Sequence, residues 1–150
     1  MPRTVDFFKP PPQFHRLVES YRALFALLLY LQGEGEKRKA YNKEKDYSMT
    51  ERCRYAQRAI EYFEQHFCAV RKHHEYFREL FKPPMAHRSE KMHELVALVG
   101  VAQCLLLLDQ DKAVRLLNIL KPAAVQYYPS LLGKIEKSLA SVPTPLYLYD

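Results

Sequence analysis

Residues 48–82 read SMTERCRYAQRAIEYFEQHFCAVRKHHEYFRELFK, and this stretch decides the fold. Cys53, Ala56, Ile60, Phe63, Phe67, Val70, His74, Phe77 and Phe81 follow one another at alternating steps of 3 and 4. That alternation places them on one helical face, a heptad seam made to lie against other helices. Tyr55, Ala59, Tyr62, Ala69, Tyr76 and Leu80 form a second stripe beside it. Ser48 or Thr50 can cap a helix here, Ser48 followed by Glu51 forming a capping-box pattern, and Pro83-Pro84 cannot continue one. The stretch therefore predicts one long helix over about 48–82, with two apolar stripes to cover.

The segments around it are helical too. Phe14, Leu17, Val18, Tyr21, Leu24, Phe25, Leu28 and Leu31 recur at helical spacing, which predicts a helix from about Pro12 to Gln32 with these residues facing the core; Leu27, Leu29 and Tyr30 widen that face. Residues 33–47, GEGEKRKAYNKEKDY, are polar and charge-mixed and read as a loop. Ser89 is placed to cap a third helix ending near Leu108, apolar nearly all round. Its most apolar run, Leu95 to Leu108, reads as a buried helix too short to span a bilayer. Asp109-Gln110-Asp111 make a turn and an N-terminal cap for a fourth helix over about 112–121; Pro122 interrupts it, and Ala123–Tyr128 reads as either a kinked extension or a separate turn. A fifth helix runs from Leu131 to about Ala140. Residues 1–12 and 141–150 are punctuated by proline and read as extended. The expectation is an all-α fold: a single domain, 1–150, of about five helices in a mainly antiparallel bundle.

Composition narrows the function. The chain has 150 residues, enough for one domain with a real core, and few glycines, 4 in all, which argues against hairpin-rich β folds. The net charge is +6; residues 1–90 hold 17 basic and 12 acidic side chains, and residues 91–150 hold 6 and 5. That bias suits acidic partners but is not the dense basic stripe of a dedicated nucleic-acid binder. Cys53, Cys68 and Cys104 form no CxxC pair and sit in apolar-patterned stretches, so they read as buried thiols in a reducing compartment, cytoplasm or nucleus. No signal-peptide core opens the sequence, and no membrane association is expected.

The chemistry-bearing residues have structural alternatives. Cys68 with His66, His73 and His74 is the best metal candidate, but the spacing does not converge four ligands on one point. No Gly-rich phosphate loop, HExxH or GxSxG occurs, so no catalytic residue, metal or cofactor is expected. Residues 92–129 run from an apolar helix through an Asp-rich turn to a helix opening with Lys112-Ala113-Val114, then Pro129. This order resembles a single tetratricopeptide unit over about a quarter of the chain. The resemblance implies an antiparallel helical hairpin of the kind used in binding scaffolds, and it assigns no functional residue.

The expected function is thus a protein-interaction module, an adaptor or subunit of an assembly, binding another protein or a second copy of itself. Its candidate contact residues are Tyr55, Tyr62 and Tyr76 on the second stripe, with Arg58, Arg71 and Lys72 nearby and Tyr147 and Tyr149 in the tail. Tyrosine brings apolar area and a polar tip to an interface. The alternative is a helical module that binds nucleic acid through basic residues of the 48–82 helix and of the loop over 37–45.

Overall fold

A computed structural model describes the backbone of residues 12–42, 44–72 and 85–142, and side chains over 24–42, 44–71 and 91–142. These residues form five α-helices and no strand: α1 (Pro12–Ala40), α2 (Met49–Lys72), α3 (Met85–Leu108), α4 (Gln110–Tyr127) and α5 (Leu132–Ala140), with a 3-10 turn at Pro129–Leu131 before α5. The protein is an all-α bundle. Successive helices pack against one another, α1 on α2, α2 on α3, α3 on α4 and α4 on α5. The part of the expected long helix beyond residue 72 lies outside the described residues, as do residues 1–11 and 143–150.

α3 is the shared element. On one side it joins α4 and α5 in an aliphatic core of Leu95, Val99, Ala102, Leu106, Leu117, Leu120, Leu131 and Ile135. On the other it joins α1 and α2 around Ala40, Tyr41, Ala56, Ala59, Phe63, Val101 and Cys104. A helix covered on two sides is apolar nearly all round, which accounts for its sequence. Its window Lys91–Leu108 is long and apolar enough to cross a membrane by length and composition, because the helix starts before the 14-residue apolar run; 56% of that window is buried inside the bundle.

Phe63 is the keystone of the α1–α2–α3 side. Its ring is fully buried between two glycines. A Cβ added to Gly33 on α1 would stand 2.8 Å from Phe63 Cε1, and one added to Gly100 on α3 would stand 2.8 Å from Cε2. Both distances are well inside van der Waals contact. The two glycines let their helices close on opposite edges of one aromatic ring.

Several boundaries differ from the sequence reading. α1 continues through 33–40, so the expected loop over 33–47 shrinks to residues 41–48. Gly33 there is a packing position, and Lys37, Ala40 and Tyr41 are buried. Asn42 then ends the helix side: its Oδ1 accepts from the backbone N–H of Glu44 (2.8 Å) and Lys45 (3.3 Å), a local turn. Ser48 Oγ caps α2 by accepting from Glu51 N at 3.2 Å. α3 starts at Met85, directly after the prolines, so Ser89 lies within it and is not its cap. Asp109 caps α4, accepting from Lys112 N at 3.2 Å. Pro122 does not break α4, which runs on to Tyr127. Pro122 and Asn118 are both exposed, so the Asn118 carbonyl deprived of its helical donor faces water.

The cysteines divide. Cys104 is buried, Cys53 half-buried and Cys68 exposed, and all three are thiols. The expectation that all were buried fails at Cys68 because the buried side of α2 runs through Ala56, Ala59, Phe63, His66 and Val70. This face lies between the two stripes read from the sequence.

Candidate interaction surface

α1 turns opposite to expectation. Its buried positions are Ala26, Leu29, Gly33, Lys37 and Ala40, while Leu24, Phe25, Leu27, Leu28 and Leu31 are 55%, 60%, 45%, 55% and 54% exposed. At about 100° per residue, the two sets face opposite sides of the helix. The cause is packing distance: a helix that closes on Phe63 must bring small side chains to the contact, so Ala26, Gly33 and Ala40, seven apart, face α2. The bulky stripe is left outside.

The stripe borders a cleft of about 310 Å³ lined by Leu27, Tyr30, His66, Met92, His93, Val96 and Tyr128. His66 reaches it from α2, its Nδ1–H donating to the Ala26 carbonyl at 2.5 Å. That bond fixes the neutral tautomer with Nε2 unprotonated. Its ring packs on Tyr30 at 5.4 Å between centroids and on His93 at 6.1 Å. Burial lowers the basicity of both histidines; at His66 the hydrogen bond to the Ala26 carbonyl opposes this and the neighbouring His93 adds to it. Tyr30 also packs on Phe63 and donates weakly to Glu34 Oε1 at 3.4 Å; burial first, and then Glu34, push its hydroxyl above the usual tyrosine range.

Below the cleft lies a buried polar chain. Lys37 Nζ donates to Gln103 Oε1 at 2.5 Å and pairs with Glu34 Oε1 at 3.1 Å. Gln103 Nε2 donates to Ser138 Oγ at 3.2 Å, and the Ser138 hydroxyl donates in turn to the Lys134 carbonyl at 2.7 Å. The Tyr41 hydroxyl donates to the Gln103 carbonyl. Desolvation lowers the Lys37 basicity against the opposing pull of Glu34. Burial pushes the Cys104 thiol up to about 12, so this thiol is protonated and unsuited to nucleophilic work. The chain ties α1, α3 and α5 together at one level of the bundle, and each polar group in it has a partner.

Those of the residues chosen from sequence that lie among the described residues do not form one patch. Tyr55 is half-buried, edge-on to Tyr47 at 5.1 Å and beneath Lys39 Nζ at 5.5 Å, so the chain's own loop and α1 cover it. Tyr62 is half-buried and Arg58 exposed, on the same flank of α2 as Tyr55. Arg71 stands roughly 180° around α2 from Tyr62. Its Nε lies 3.3 Å from Glu94 Oε1, and its guanidinium covers Phe67 at 5.2 Å. The Lys72 side chain, Tyr76, Tyr147 and Tyr149 lie outside the described residues. Of the metal candidates, His66 is buried against Ala26 and Cys68 is exposed on another side of α2, while His73 and His74 lie outside the described residues. Among the described residues no group of three or more His, Cys, Asp or Glu is placed to hold a metal ion.

The α1 stripe is the feature that sequence reasoning missed as a surface. The signal was the seven-residue recurrence of Ala26, Gly33 and Ala40, which marks the side of close helix approach. No family model, no curated protein and no solved structure matches this chain.

Proposed function

We propose that this chain is a non-catalytic helical module that binds protein, an adaptor or subunit of a larger assembly, working in the cytoplasm or nucleus where its thiols stay reduced. The observation that carries this reading is the outer face of α1: Leu24, Phe25, Leu27, Leu28 and Leu31, each 45% exposed or more, in one unbroken stripe. Contiguous bulky apolar surface of this kind is costly in water and marks interaction sites. The stripe has helical spacing, so the occupant it suits is another apolar helix laid along it, and the adjoining cleft can take a side chain from that helix. The contact surface moves accordingly from the tyrosine flank of α2 to α1.

The test compares partner complexes of the intact chain, recovered from its own cells, with those of Leu24→Glu and Leu28→Glu and of a control, Ile119→Glu, on exposed α4 surface. The reading expects the α1 variants to lose their bound proteins with helicity unchanged, and the control to keep them. Equal recovery from all four chains would sink it.

A further inference from the structure

We infer that the occupant of the α1 outer face is a second copy of this chain, with α1 packed against α1, antiparallel, about a two-fold axis at Leu28. This rests on reading that face as an interaction surface, and adds its partner and geometry.

The first argument is shape. Leu24, Leu28 and Leu31 are spaced 4 and 3, with Leu27 and Phe25 flanking them. This is the seam by which one helix receives another, each knob entering a hole of four side chains. A two-fold interface must be self-complementary, and a uniform row of leucines meets that condition without specialised pockets. Centring on Leu28 sets Leu24 against the level of Gln32 of the second copy and Leu31 against that of Phe25, so most of the apolar row is paired.

The second argument is area. Five large apolar side chains, half-exposed, present roughly 400–500 Å², the size of the largest apolar patch on a typical monomer, which often carries function. Two such patches face to face bury about 800–1,000 Å² of apolar surface, the lower bound for a specific interface, which fits a dimer in reversible exchange with its monomer.

The third argument is charge, and it chooses the direction. The last turn of α1 carries Lys37, Arg38 and Lys39, of which Arg38 and Lys39 are exposed. Parallel pairing would set these cations and two negative helix ends beside their own copies. Antiparallel pairing about Leu28 separates Arg38 from its copy by about 30 Å along the axis, at 1.5 Å per residue, well beyond the roughly 8 Å screening length at physiological salt.

The experiment is sedimentation equilibrium on the full chain, wild type beside Leu28→Glu and Ile119→Glu. The wild type and Ile119→Glu are expected at twice the 17.7 kDa chain mass, and Leu28→Glu at once that mass with its far-ultraviolet helicity intact. Direction is read by oxidation in a Cys68→Ser background: Leu28→Cys links to its copy, whereas Leu24→Cys, held about 12 Å from its copy along the axis, does not. A monomeric wild type overturns the inference. If α1 variants of that monomer still lose other bound proteins, the interaction reading survives and only its partner is wrong; if they lose nothing, both fail. A dimer that Leu28→Glu leaves intact overturns the inference, and cross-linking at both cysteine positions overturns the antiparallel arrangement.

Discussion

The two sides of α3 are built on different rules. Toward α4 and α5 the contacts are leucine against leucine, with Leu106, Leu117, Leu120 and Leu131 filling space in the usual aliphatic manner. Toward α1 and α2 the space is nearly removed: glycine and alanine bring the backbones in, and one phenylalanine fills what remains. The aliphatic side tolerates exchange of one hydrophobe for another of similar volume, because its side chains can shift among rotamers. The glycine side cannot, since backbone is what meets the ring. On one side bulky residues point inward; on the other, closeness forces them outward onto α1's far face.

Substitutions that change volume in each half should break this contrast most sharply. Phe63→Ala is expected to cost about 3–5 kcal/mol, and Leu117→Ala about 2–5 kcal/mol, in urea denaturation. Those two are ordinary cavity effects. The discriminating case adds atoms: Gly33→Ala or Gly100→Ala should cost about 1–3 kcal/mol although each exchanges glycine for a better helix former. Phe63→Leu in the Gly33→Ala background should recover part of that loss, a coupling absent between Gly33→Ala and Leu117→Ala. Additivity in both pairs would show that the ring does not set the helix spacing.

Thiol reactivity sharpens the same division at lower cost. Cys68 on the surface of α2 should be modified rapidly by a maleimide in the native protein, and Cys104 only on unfolding, since it is buried and protonated. Mass spectrometry of the partially labelled chain distinguishes them. Early labelling of Cys104 would mean that the α1–α3 contact opens in the native state.

The smallest expected effect is on pH dependence. His66 and His93 have folded-state basicity below the ordinary value of 6.5, so the unfolded chain binds protons first. Stability therefore falls as pH drops from about 7 through that value and levels off below the lowered folded values. His66→Gln should flatten the fall of the urea midpoint as pH drops through 6.5, relative to the wild type. An unchanged slope would assign the acid sensitivity elsewhere.

Much of the fold was legible from periodicity. The cap within Asp109-Gln110-Asp111, the Ser48 cap and the all-round apolarity of α3 each reflect a local rule that the structure obeys. The orientation of α1 was not legible by counting apolar residues, because such counting assumes that the bulkiest stripe is buried. The recurrence of Ala26, Gly33 and Ala40 carried the opposite instruction. Residues 33–40 misled for a related reason: their charge suggested a loop, but the Lys37 ammonium finds Gln103 and Glu34 inside the bundle. Glu34 is a neighbour on the same helix, but Gln103 lies 66 positions away in the chain, which no local pattern reports. The tyrosine flank of α2 was read as needing a cover, and Tyr47 and Lys39 of the same chain supply part of it.

The ring held between Gly33 and Gly100 also constrains how this sequence can drift. A side chain enters at either glycine only at a cost while position 63 keeps its ring, and the ring has no room to enlarge, because glycine is already the smallest residue at both contacts. Three sites on three helices must therefore change as a set. Any more distant sequence with this fold should show small residues at the first and third of them whenever the second is aromatic, and a smaller second residue where either glycine has gained a side chain. That three-letter correlation is a signature by which such a sequence can be recognised even when little else of it aligns.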